Sequence, residues 1–129
     1  MRFLLDTHVF LWAFLSPEKL DQDIIDLLED AENEKFFSAA SAWEIAIKHR
    51  HGSIVLPFPP PVFIKKALAA TDIKQLAITI NDTLSAGELP PIHKDPFDRL
   101  LITQARHHEL FIVTNDHVFE EYEVDIMDA

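Results

Sequence analysis

Asp6 directly follows the apolar triplet Phe3-Leu4-Leu5, and Asp98 sits where the loop His93-Lys94-Asp95-Pro96-Phe97 runs into Leu100-Leu101-Ile102. Two more acids are placed in a similar way, Glu44 shortly after Phe36-Phe37-Ser38 and Asp116 shortly after Ile112-Val113-Thr114. A carboxylate that closes a buried apolar strand is costly unless something compensates its desolvation. Oxygen ligands in a chain with no cysteine and no His-x-x-x-His pair suit Mg²⁺ or Mn²⁺ rather than zinc. Such an ion lowers the pKa of a bound water, orients it against phosphorus and neutralises the leaving oxygen, so phosphodiester hydrolysis is the chemistry that fits. Each acid also has a purely structural use. Asp98 suits a helix macrodipole, Asp116 can cap a turn over Val118 to Tyr122, and Glu44 can be a surface residue between Trp43 and Ile45.

The elements that must position these acids alternate along the chain. Phe3-Leu4-Leu5 reads as a short buried strand, and Ile24, Ile25, Leu27, Leu28 and Ala31 give helical spacing from Asp21 onward. Lys35-Phe36-Phe37 returns to strand, Ala42 to His49 is a helix closed by Gly52, and Val62 to Ala70 is another helix. Leu76 to Thr79 reads as a strand, Asp98 to His108 as a helix, Leu110 to Thr114 as a strand and Val124 to Ile126 as a short last strand. This order predicts an α/β fold with right-handed crossovers and a parallel sheet covered on both faces. Ligands of open parallel sheets gather beyond the carboxyl ends of the strands, where Asp6 and Asp116 arrive and toward which Glu44 and Asp98 point. Pro57-Phe58-Pro59-Pro60-Pro61 reads as a stiff internal connection, so residues 1–129 are expected to form a single domain.

With 48% apolar residues the chain is not a disordered one. Eleven Lys and Arg against twenty-two Asp and Glu give a net charge of −11, which disfavours a phosphate backbone as partner unless a bound cation reverses the local field. The bases are clumped at Lys48-His49-Arg50-His51, Lys65-Lys66, Lys94, Arg99 and Arg106-His107-His108. The N-terminus reaches Asp6 before a signal-peptide core can form, and the apolar run Val9 to Leu15 is too short to span a bilayer. Together with the lack of cysteine, this makes a reducing cytoplasm the expected compartment.

Four blocks then carry a resemblance. Leu5-Asp6-Thr7-His8 with Leu11-Trp12-Ala13, Ser38 to Lys48 around Trp43-Glu44-Ile45, His93 to Ile102, and Val113-Thr114-Asn115-Asp116 with Phe119 and Tyr122 look like a PIN domain of the VapC toxin type. The resemblance spans nearly the whole chain. It implies an α/β/α sandwich around a central parallel sheet of about four to five strands, a Mg²⁺- or Mn²⁺-dependent ribonuclease acting on RNA, a VapB-type antitoxin as partner, and a homodimer. Carried over residue by residue, Asp6, Glu44 and Asp98 match the three central carboxylates and Asp116 the more variable fourth. Thr7 and Thr114 match hydroxyl residues that orient the carboxylates, and Asp95 shapes the loop with Pro96 or lies behind the metal-site acids. Lys48, Lys94 and Arg99 are the best-placed phosphate contacts, with pairing to a neighbouring carboxylate as the alternative for Arg99. Trp12 and Trp43 occupy helical positions that predict core packing or a partner groove rather than base stacking. Two alternatives stay open: a non-catalytic PIN-like interaction module, and another phosphoryl-transfer hydrolase using Asp6 as nucleophile, which would want an aspartate where His8 stands.

Overall fold

Phe3, Leu4 and Leu5 are all buried, with Phe3 and Leu5 in one hydrophobic cluster and Leu4 in another. That alternation is the period of a strand with both faces covered, and it puts their strand, β1 (Arg2–Leu5), at the centre of the molecule. The structure, a computed structural model, describes residues 1–122 and 124–129. The other strands are β2 (Glu34–Ser38), β3 (Lys74–Leu76), β4 (Phe111–Thr114) and β5 (Ile126–Asp128), and all pairings are parallel in the order β3-β2-β1-β4-β5. Helices α1 (Thr7–Leu15), α2 (Gln22–Glu29), α3 (Ala39–Arg50), α4 (Pro60–Ala69), α5 (Ile80–Glu88) and α6 (Pro96–His108) complete an α/β/α sandwich.

Val9, Phe10 and Leu11 of α1, Ile24 of α2 and Phe63 of α4 cover the face that carries Phe3 and Leu5, with Phe10 stacked on Phe37 at 4.0 Å between ring centroids. Leu101, Ile102 and Ala105 of α6 cover the Leu4 face together with Phe119 and Tyr122. The chain builds β2 and β3 on one side of β1, then crosses to place β4 on the other. The reversal opens a crevice at the carboxyl ends of β1 and β4. Asp6 is the first residue past β1, and its N–H extends the ladder to the Val113 carbonyl at 3.0 Å.

Three expectations need correction. The predicted strand Leu76 to Thr79 stops at Leu76, because Thr79 starts a helix instead: its hydroxyl accepts from Asp82 N (3.1 Å) while Asp82 Oδ2 accepts from Thr79 N (2.9 Å). Helix α5, which follows, was not anticipated; its Ile80 and Leu84 face solvent, so it lacks a buried apolar stripe. The last strand runs Ile126–Asp128 rather than Val124 to Ile126, since Val124 N bonds Tyr122 O instead of the sheet and the ladder begins where Ile112 pairs with Ile126.

Asp82 also anchors a buried polar chain that locks the helices on the Leu4 face. It accepts from His107 Nδ1 (2.7 Å) and Gln104 Nε2 (3.4 Å), and Gln104 Oε1 accepts from Ser38, the residue that caps α3. Burial works against its charge, but the bonds from Thr79, His107 and Gln104 outweigh it and hold its pKa below the usual carboxylate value. Asp82→Ala is expected to cost roughly 2–4 kcal/mol, since it strands several buried donors. A carboxylate with a depressed folded-state pKa stabilises above its unfolded value of 3.8, so in thermal melts the deficit of the variant should persist from neutral pH down to that value and shrink below it.

Candidate metal centre

The acids of the four sequence blocks line one open cleft at the β1–β4 crevice, with Asp6, Glu44, Asp98 and Asp116 on its walls beside Lys48, His93 and Asp95. His8 and Trp12 form part of the rim. Asp6 and Glu44 are buried (4% and 3% exposed), which is far from ordinary for acids.

Each carboxylate is held by specific groups. Thr114 Oγ1 donates to Asp6 Oδ2 at 2.8 Å and itself accepts from Asp116 N at 3.0 Å, so one hydroxyl ties the end of β1 to the turn after β4. Thr7 Oγ1 lies 2.6 Å from Glu44 Oε1 and 2.8 Å from Ser41 Oγ; its single proton goes to the carboxylate, which can only accept. Lys48, one helical turn on, pairs with Glu44 Oε2. Burial opposes the lysine charge, but that bond and the nearby charges of Glu44, Asp95 and Asp98 raise its pKa above the usual value. Asp95 is the N-cap of α6 and accepts from Phe97 N (2.8 Å) and Asp98 N (3.2 Å), which fixes Asp98 in the first turn. Asp116 caps the turn His117–Glu121 through Val118 N (3.0 Å), so its structural use holds while its carboxylate still faces the cleft.

Desolvation raises the pKa of Asp6, and Glu44 adds to that, against the Thr114 bond and the His8 charge. Asp98 is pushed up to about 7: burial is the largest cause, the His93 bond opposes it, and the charges of Asp6, Asp95 and Glu44 push further. Acids strained in this way by burial and by one another, with a single lysine among them, match what a divalent cation relieves. The donor set of hard carboxylate oxygens fits Mg²⁺ or Mn²⁺.

Among the described residues, the tightest group of potential ligand atoms is His93, Asp98 and Asp116, all within 4.8 Å of one another. His93 was not foreseen as a site residue. Its Nε2 lies 2.7 Å from Asp98 Oδ2, and the only sequence signal was its place five residues ahead of Asp98 in the same proline-pinned loop. One other residue differs from expectation. Arg99 does not reach into the cleft as a phosphate contact; its guanidinium donates to the carbonyls of Ala86, Leu89, Pro90 and His93, binding the loop to α6. Of the two uses expected for Trp43, core packing is not found, since it is 60% exposed and stands edge-on to Phe97 at 5.3 Å, and a partner groove stays open. Lys94 is exposed on the same loop.

The PIN domain family profile matches residues 3–125, and the chain belongs to that family. Its curated relative Ribonuclease VapC22 of Mycobacterium tuberculosis (strain ATCC 25618 / H37Rv) is 30% identical over 114 residues, 88% of this chain and 85% of the relative. The fold resembles that in the crystal structure of VapBC2 from Rickettsia felis bound to a DNA fragment from their promoter, with a TM-score of 0.74 at 16% identity over 99% of this chain and 98% of the other. It also resembles DNA-bound VapBC from Salmonella typhimurium, with a TM-score of 0.69 at 15% identity over 99% and 98% of the two chains.

Proposed function

We propose that this chain is a VapC-type ribonuclease, a single PIN domain that hydrolyses RNA phosphodiester bonds with a divalent metal and acts as the toxin of a VapBC pair in the cytoplasm. The observation that carries this reading is the convergence of Asp6, Glu44, Asp98 and Asp116 in one cleft, with the first two buried. When bound there, Mg²⁺ or Mn²⁺ would supply an activated water and charge neutralisation at the leaving oxygen. Asp6, Glu44, Asp98 and Asp116 would hold it. Thr114 and Thr7 keep the two buried carboxylates aimed at the cleft through the bonds to Asp6 and Glu44. Lys48 neutralises one Glu44 oxygen, and its partly exposed side chain, together with exposed Lys94, is positioned to meet a phosphate at the mouth. The relationship to VapC22 supports the ribonuclease reading, and the likeness to the VapBC structures supports a VapB-type antitoxin as partner. Ile80 and Leu84, one helical turn apart on α5 and 79% and 65% exposed, support a homodimer or partner interface there.

The reaction has a checkable product. Water activated without the ribose 2′-hydroxyl leaves a 5′-phosphate, so cleavage of single-stranded or looped RNA is expected to need divalent metal, to stop in excess chelator and to give 5′-phosphate ends. End-group analysis of the fragments measures this. A 2′,3′-cyclic phosphate product, or undiminished cleavage in chelator, overturns the mechanism.

A further inference from the structure

Imidazole nitrogen is not part of the four-carboxylate set, yet the structure brings one to it. His93 Nε2 is 2.7 Å from Asp98 Oδ2 and within 4.8 Å of a carboxylate oxygen of Asp116. Adjacent ligands around an octahedral ion held at ~2.1 Å lie about 3 Å apart and opposite ones about 4.2 Å apart, so a small adjustment of these side chains brings the three atoms into one coordination sphere. The loop that carries His93 is fastened from both ends. Its N–H donates to the Tyr122 hydroxyl (2.8 Å), which in turn donates to Pro90 O (3.1 Å), and its carbonyl accepts from Arg99 Nη1 (3.2 Å). Core packing does not account for the ring, whose side chain is a quarter exposed at the cleft wall. The other imidazoles of the cleft are arranged differently: His117 leans on Glu120 at 3.4 Å, and His8 lies against Trp12.

We infer that His93 is a metal ligand, completing with Asp98 and Asp116 a mixed nitrogen and oxygen set that favours Mn²⁺ over Mg²⁺. Carboxylates and water satisfy Mg²⁺ fully, whereas imidazole binds later first-row ions in preference to it. The inference rests on the metal-centre reading above and adds to it a ligand and a choice of ion. In binding the cation, Nε2 gives up its contact with Asp98 and presents a lone pair, so the ring must be neutral with its proton on Nδ1.

Pulsed electron paramagnetic resonance on the full chain loaded with Mn²⁺ alone tests this directly, because a directly bound imidazole nitrogen modulates the electron spin echo. The expected result is a nitrogen modulation that is present in wild type, retained in His8→Gln and His117→Gln, and absent in both His93→Gln and His93→Asn. Titrations followed by melting should show the ratio of Mn²⁺ to Mg²⁺ affinity falling at least about fivefold in either His93 variant. Uniform ¹⁵N-histidine labelling of wild type should change the modulation, a measurement that stands even if both His93 variants fail to fold. Bound Mn²⁺ with no histidine modulation in wild type overturns His93 as a ligand while leaving the acid site intact. Failure of wild type to bind Mn²⁺ at all overturns this inference and the metal-centre reading together.

Discussion

Asp6→Asn is expected to reduce RNA cleavage by at least about a thousandfold, some 4 kcal/mol of transition-state stabilisation, while raising the melting temperature of the metal-free protein. The two signs share one cause. Asp6 is buried, its pKa is raised by desolvation and by Glu44, and its charge therefore destabilises the folded state without a cation. Asparagine keeps the shape and still accepts the Thr114 hydroxyl through its amide oxygen, so the charge is removed with little loss of packing. A ligand that binds only the folded state raises its melting temperature by mass action, so millimolar Mn²⁺ should stabilise wild type strongly and the variant little. Melts of both proteins in chelator and in metal, beside a cleavage assay, measure all of this. A variant that melts below wild type in chelator and still responds fully to metal removes Asp6 from the centre.

Metal-free wild type is also expected to lose stability as pH rises from about 5 to about 8, opposite to the usual effect of a native carboxylate. Asp98 has a folded-state pKa of about 7 against an ordinary 3.8. Between those values the folded protein holds a proton that the unfolded chain has released, so stability falls across that window and levels off above it. The effect is on the order of a few kcal/mol, because the side chain is only 14% exposed. Saturating Mn²⁺ should reverse the trend, since binding requires the ionised carboxylate and strengthens as pH approaches 7. Asp98→Asn should flatten both curves. A pH series of melts with and without metal decides it, and a wild type whose metal-free stability rises steadily from about pH 5 to about pH 8 refutes the assignment.

The meeting of Asp6, Asp98 and Asp116 in one cleft could be read from the sequence because each lies at a boundary between an apolar element and a loop, and a parallel sheet delivers such boundaries to one edge; Glu44, inside α3, could be read only from the helix that follows β2. Asp6 after Leu5 and Asp98 before Leu100 needed no knowledge of contacts beyond that rule. Helix α5 was not legible, because its Ile80 and Leu84 point to solvent, and the one usable signal was the capping pair Thr79 and Asp82. His93 was hidden for a different reason. What holds it in place is a set of hydrogen bonds from Arg99 to main-chain carbonyls, and carbonyls leave no trace in residue types. The same fact misdirected the reading of Arg99, whose positive charge suggested phosphate while its forked geometry is used to gather a loop.

The bond from Thr114 to Asp6 joins residues separated by 108 positions along the chain. During synthesis the amino-terminal segment leaves the ribosome long before its partner exists, and β1 can acquire its β4 neighbour only after nearly every other element has emerged. Asp98 and Asp116 arrive in that same late portion, with Asp6 and Glu44 waiting since the beginning. The cleft therefore stays incomplete until the last strands are delivered, so chain connectivity itself sets the order in which its four acids can meet.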